Sequence, residues 1–389
     1  MNTQNTPVHI KLWHREFWLM AMSSLVLTMS VYTLIPIMPQ WLMQTENFTP
    51  EETGLSMGAF ALGLYLFGAP CSWLVQHYRR NVVCMWAILT VGLAIALLWH
   101  VCELRSEFVE LGFIMAQRLV LGAAFGLAQM VLSSTLIIDT CESFQRTEAN
   151  HCASWFARFA LSLGPLTGIL VYTYCGFHGV LLTTMGLAAA ALLFVKLVKF
   201  PFRTPEEGIR MASLDRFFLP HGFVLFVNLL LISIVVGLLL TLPHKPMFYA
   251  MMMSGFLLAL LAQRFVFRNA ELKSEVVSGL FLMIAALFIL LAYPTSPVAP
   301  VLIGLAVGIV GSRFLLFFIK LSRHCQRGTS QSTYFLGWET GLSLGVGLGY
   351  LLFYKQPALL LYVALALTVV SLLMYHLFTH QWFVRNKNR

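Results

Sequence analysis

Four ionisable side chains stand inside long apolar runs: Arg118 in RLVLGAAFG, Arg158 in FARFALSLGPLTG, Arg313 in GSRFLLFF and Glu339 in LGWETGLSLG. A charge at the centre of a bilayer costs about 3 kcal/mol on insertion scales, so such groups face a partner or a water-filled cavity. One carboxylate among three permanent cations is suited to carrying a proton. Burial favours its neutral form, and a neighbouring cation or a substrate restores the charged one. Glu339 is therefore read as the proton carrier, with Arg118, Arg313 and Arg158 as its companions. Asp139, at the inner end of its span, is the reserve, or else caps or pairs within the cytoplasmic loop that contains Arg146. At about 1.5 Å of rise per residue, Arg313 lies roughly 12 Å above the cytoplasmic end of its helix, and Glu339 is about as deep in the next. An Arg313–Glu339 ion pair is the first expectation. Three arginines against one glutamate favour an anionic or zwitterionic solute.

The elements that must hold these residues follow from composition. Hydrophobic residues make up 59% of the 389 and charged residues 11%, more apolar side chain than a soluble core can cover. Twelve runs of spanning length are legible: 17–40, 53–75, 82–102, 111–136, 152–174, 178–199, 218–241, 247–267, 276–293, 297–319, 331–353 and 357–380. Each must be helical to satisfy its own backbone, and the period-two polarity of a membrane barrel is absent. The expected fold is an all-α membrane protein of twelve transmembrane helices in two six-helix bundles, 1–200 and 218–389, joined by a cytoplasmic linker at 201–217. With the N-terminus inside, nineteen Lys and Arg fall in cytoplasmic segments and three, Arg105, Lys245 and Lys355, in outer loops, so both termini are placed in the cytoplasm. The +9 charge is a topology signal, and no nucleic-acid partner is needed to explain it. No cleavable leader is expected, because the first apolar run is too long for one. The seven cysteines lack metal-site spacing and are read as packing residues, with Cys102 and Cys175 near enough to the outer face to pair.

The two halves repeat. Residues 145–168 laid without a gap over 326–349 match Gln145 with Gln326, Arg146 with Arg327, LSLG at 161–164 with LSLG at 342–345, and Gly168 with Gly349. LVQHYRRN at 74–81 likewise answers LAQRFVFRN at 261–269. Duplicated halves around a central site are a transporter architecture. Arg158 is then the repeat mate of Glu339. Its natural partner lies across the halves, either as a lock between helices or as a contact made in one conformation only.

These residues resemble the major facilitator superfamily, and within it the drug/proton antiporter branch. The first span ends YTLIPIMP, similar to the proline-bearing end of helix 1 there; RLVLGAAFG is like the branch's Arg-x-x-x-Gly motif, and LSLGPLTG like its Gly-Pro-x-x-Gly motif. The resemblance covers essentially the whole chain. It implies a central path lined from helices 1, 4, 7 and 10, where Tyr32, Gln117, Gln129 and Asn228 are the polar residues, each equally able to bond a neighbouring helix. Gly164, Pro165 and Gly168 are read as a helix kink with close packing, and Gly345 and Gly349 as packing. The loop after helix 2 departs from the family. Gln76 and, in the repeat, Gln263 stand where an acid is usual, while Arg79, Arg80, Arg264 and Arg268 keep the basic positions, and helix 1 carries no acid.

The chain contains no GxxxxGK[ST] loop, no HExxH and no metal-ligand cluster, so neither ATP hydrolysis nor metal catalysis is expected, and no cofactor. The resulting reading is a monomeric secondary active transporter in the cell membrane, not an enzyme, exporting a small amphipathic or anionic compound in exchange for protons. An importer or uniporter, and a sensor that kept the fold without transport, are the alternatives.

Overall fold

The structure, a computed structural model, describes residues 11–103, 110–142, 144–200, 210–267 and 271–387. Arg268, Arg105, the Cys102 side chain and the linker before residue 210 lie outside the described residues.

Every described element is a helix. The first half runs α1 (Arg15–Tyr32), α2 (Met38–Gln44), α3 (Pro50–Gly63), α4 (Gly68–His77), α5 (Arg80–Glu103) and α6 (Leu111–Val131). A π-helical turn, Leu132–Leu136, leads into α7 (Ile137–Asp139), and α8 (Arg146–Lys196) follows. The second half runs α9 (Phe223–Leu240), α10 (Pro246–Phe265), α11 (Leu272–Ala292), α12 (Val298–Leu321), α13 (Arg327–Phe353) and α14 (Pro357–Met374). A second π-helical turn, Tyr375–Thr379, joins α14 to α15 (His380–Asn386).

Eight of these stretches are long and apolar enough to cross a membrane, and α3 with α4, bent by 43°, makes a ninth. The run expected at 17–40 is broken. Pro36 lacks a backbone donor and its ring obstructs a continued helix, so α1 stops at Tyr32; the chain restarts at Met38 with Pro39 in the first turn of α2, where no donor is needed. α3 starts sharply, with Pro50 in its first turn and a reciprocal Thr49–Glu52 capping box. The runs at 152–174 and 178–199 form the continuous α8, whose one non-helical residue is Gly176, at φ 66° and ψ −169°. That backbone region is open to glycine and almost nothing else. Pro165, the expected kink, keeps helical dihedrals.

α1 packs along α8, α3 along α6, α9 along α13, and α10 along α12. The repeat offset holds in three dimensions. Gly164 and Gly168 lie against Tyr32 and Thr33 at the end of α1, and their mates Gly345 and Gly349 lie against Ile234, Gly237 and Thr241 at the end of α9. A methyl group on Gly345 would stand 2.3 Å from the Ile234 carbonyl oxygen and 2.8 Å from the Gly237 Cα, so the two backbones touch. The halves meet chiefly where α3 crosses α13 and where α8 crosses α10. Because the obstruction at Gly345 is backbone, Gly345→Leu should destabilise the protein by about 1–3 kcal/mol, read as a lowered melting temperature in detergent; an unchanged melt would contradict this packing.

Candidate functional site

Glu339 sits midway along α13, where Gly337, Gly341 and Gly345 let α9 come close and Gly347 lets α3 do so. Its carboxylate is 4% exposed, and the Tyr32 hydroxyl donates to its Oε1 at 2.6 Å. Tyr32 ends α1, so this bond ties the first half to the second. Two small cavities meet at the pair. One, of about 50 Å³, is lined by Ser24, Gln129, Ser154, Arg158, Gln331, Tyr334 and Trp338. The other, of about 30 Å³, is lined by Met57, Arg118 and Ser343. Each has room for a few waters only.

The halves touch beyond both cavities. Past the smaller one, a Cβ on Gly54 would stand 2.6 Å from the Gly347 carbonyl oxygen, and the Ser343 hydroxyl donates to the Met57 carbonyl at 3.0 Å. Tyr65 and Thr340 share a hydrogen bond of 2.9 Å. Past the larger one, Gly328 at the start of α13 lies against the backbone of Ser134.

Arg158 is the mate of Glu339 and lines the larger cavity, 4% exposed. Its Nη2 donates to the Tyr334 hydroxyl at 3.4 Å, and its guanidinium carbon lies 4.9 Å from the centre of the Trp155 ring. Nε and Nη1 are shut off from solvent with no partner among the described residues. Arg118, on α6, borders the smaller cavity with only the Met57 thioether at 3.0 Å on its Nη2, and its Nε is unpartnered. Arg158 and Glu339 thus share a cavity without forming an ion pair in this conformation.

The expected Arg313–Glu339 pair does not form. Arg313 projects from the opposite side of α12, toward α11, where its Nε binds Glu275. Glu275 is 1% exposed although it precedes the apolar run by one residue, so Glu339 is not the only deeply buried carboxylate. Two of the proposed cavity residues turn elsewhere. Gln117 donates to the Ala94 carbonyl of α5 at 3.1 Å, and Asn228 to the Ser371 carbonyl of α14 at 3.1 Å, each bonding a neighbouring helix. Gln129 does line the larger cavity and also donates to Thr28 Oγ1 at 2.8 Å.

At the cytoplasmic end, Arg80 pairs with Asp139 at 2.5 Å, which removes Asp139 from the centre and from Arg146. Gln76 and Arg79 border the same pair. In the repeat, Gln263 donates to the Ser312 hydroxyl, and Arg264 lies 5.9 Å from the Phe265 ring. The linker returns between the halves at Asp215 and Arg216. Asp215 accepts from Ser72 at 3.2 Å and Thr329 at 3.0 Å, while Arg216, at φ 57°, donates from its backbone to Thr329 and from Nη1 to Thr135. Burial first, and then the nearby Arg80, hold the Arg216 pKa below its usual value. A cavity of about 280 Å³ here is walled by Arg80, Arg146, Arg216 and Arg327 against Asp139 and Asp215.

Sequence reasoning missed Gln331, Tyr334 and Trp338, although their spacing places them on one helical face running down to Glu339. It also missed Trp155, one turn before Arg158. Among the described residues no group of three His, Cys, Asp or Glu side chains could hold a metal ion.

The sequence profile of the Major Facilitator Superfamily matches residues 20–384, and the chain belongs to that family. No curated protein matches. Among solved structures, an auto-inhibited peptide transporter of the POT family is similar at a TM-score of 0.68 and 12% identity, covering 97% of this chain and 98% of that one. The nucleoside transporter NupG, in mutant form, gives 0.66 and 11%, covering 93% and 100%. A bacterial homologue of the iron transporter ferroportin, facing outward, gives 0.66 and 14%, covering 96% and 100%. At these identities the likeness is one of fold, and family membership makes the chain a membrane transport protein rather than an enzyme.

Breaking a buried ion pair from one side strands the remaining charge and costs about 3–5 kcal/mol, whereas replacing both partners by apolar groups is close to neutral. Arg313→Leu should therefore lower thermal stability sharply, and Arg313→Leu with Glu275→Leu should recover most of it. Equal losses in the single and double variants would contradict the pairing.

Proposed function

We propose that the chain is a secondary active transporter that moves a small amphipathic or anionic solute across the cell membrane, coupled to protons through Glu339 and working in the efflux direction. Twelve spans result when the break at Gly176 divides α8 in two and α1 with α2, and α13, are counted with the nine apolar stretches. Two bundles, 1–200 and 218–389, then rock about the centre, with 201–217 and both termini in the cytoplasm and one chain as the working unit.

One observation carries the coupling. The hydrogen bond from Tyr32 to Glu339 joins the two halves across the centre, and such a bond is about twice as strong to a carboxylate as to a neutral acceptor. Taking up a proton weakens the contact that must part when the halves separate. Proton occupancy therefore biases the conformational equilibrium, as alternating access requires. The Gly-Pro stretch of α8 implies exchange, with protons moving opposite to the solute. The absence of an acid from the run 17–40, together with Gln76, keeps an importer as the second reading.

In proteoliposomes, Glu339→Gln should reduce flux driven by a pH gradient to the passive level while ligand binding survives. Gradient-driven flux at the wild-type rate in that variant refutes the coupling. A wild-type protein that moves no member of a broad panel, yet binds some, supports a sensor.

A further inference from the structure

We propose that the central cavity, water-sized in this closed conformation and widened when the halves part, takes an organic monoanion with a flat aromatic body, its acid group on Arg158, and that this anion and the proton on Glu339 bind together rather than in competition. The inference rests only on the chain being a proton-coupled transporter; it replaces exchange by co-transport, which an inward proton gradient drives in the uptake direction, the second reading above.

Arg158 is the anchor. Its guanidinium is nine-tenths buried and lines the cavity, and two of its nitrogens have no partner among the described residues. A guanidinium fork fits a carboxylate, sulfonate or phosphate in two parallel hydrogen bonds. Beside it, the Trp338 and Phe335 rings form the apolar wall. Such a lining suits a ring that carries one acid group. An independent feature points the same way. The cytoplasmic cavity presents four arginines to two aspartates; Arg80 pairs with Asp139 and Arg216 lies 3.7 Å from Asp215, which leaves Arg146 and Arg327 as its excess positive charge. A positively lined mouth concentrates anions at the cytoplasmic end of the path.

The coupling sign follows from Coulomb's law. An anion on Arg158 adds a negative charge to the cavity that Glu339 also lines, and like charges repel whatever the number of cations nearby. The anion therefore makes Glu339 easier to protonate, and by linkage a protonated Glu339 binds the anion more tightly. Exchange needs the opposite, a substrate whose binding displaces the proton. His151, two turns before Arg158 on α8 and within its field, responds to the same anion with the same sign, and no other group opposes it. The charged and titratable groups lining the two cavities with Glu339 are Tyr32, Arg118, Arg158 and Tyr334. From the other elements against α13, Tyr65 bonds Thr340, the α3 acids Glu51 and Glu52 sit in its first turn, α9 carries no titratable residue, and Arg313 of α12 is held by Glu275.

The test is calorimetric titration of the purified full-length chain in lipid nanodiscs with benzenesulfonate, which stays ionised at every working pH. Uncharged benzenesulfonamide and cationic benzylammonium serve as controls of like size. Benzenesulfonate should bind more tightly as pH falls, by up to about tenfold per unit, the limit for one coupled proton. Each one bound should draw about one proton from the buffer. Glu339→Gln should keep the binding and abolish both the pH dependence and the proton uptake. Arg158→Gln should weaken it at least about tenfold, and Arg158→Lys less. Preference for benzylammonium, proton release on binding of benzenesulfonate, or no response to any of the three in the wild type overturns the proposal, however the variants fold. Binding with proton uptake but without flux in proteoliposomes would instead refute the transporter reading alone, and pH-driven flux of the cation would refute only the present one.

Discussion

A guanidinium cannot shed its charge inside a protein, and Arg158 lies in the middle of this one with no acid on it. Burying an uncompensated ion costs several kcal/mol even after relaxation. The Trp155 ring and the Tyr334 hydroxyl return part of that cost, and Glu339 across the cavity adds long-range attraction without contact. The arrangement holds only because α8 is fixed on both sides, by glycine contacts to the end of α1 and by its crossing with α10. Placement of the charge and closeness of the backbones are thus one problem, solved by the same stretch, FARFALSLGPLTG.

The repeat makes the same stretch serve twice. In α8 the mate position carries arginine and in α13 it carries glutamate, while the glycines that follow touch the first helix of their own half in both copies. The duplicated backbone supplies two equivalent places facing one centre, and divergence at a single position gives them opposite charge. A hydrogen bond between halves, from Tyr32 to Glu339, then makes the protonation state matter to the whole molecule.

Much of this was legible in the sequence because membrane helices announce themselves by length and composition, and because charges in apolar runs are rare enough to notice. Gly176 separates two expected runs, and Arg158 and Glu339 do border one cavity. What was not legible depends on which way a helix faces. Depth along α12 suggested that Arg313 would meet Glu339, but rotation about the axis turns it to Glu275, a residue that hydropathy had left outside the span. Gln117 and Asn228 take the second of the two uses open to them, a bond to a neighbouring helix, and for Asn228 the near-uniform apolarity of α9 leaves nothing from which to read its direction. The aromatic face made by Tyr334 and Trp338 follows helical spacing, but in a chain that is 13% aromatic such spacing does not mark a cavity wall.

The central claim is that a permanent cation and a proton-carrying acid share one cavity and load an anion and a proton together. One anion with one proton carries no net charge, so a membrane voltage cannot drive the movement, whereas a pH gradient can. The direct measurement follows benzenesulfonate leaving loaded proteoliposomes under a potassium–valinomycin clamp, with the interior pH recorded at the same time. Efflux that is insensitive to voltage and alkalinises the interior is the predicted result; efflux that follows the voltage, or that acidifies the interior, contradicts it.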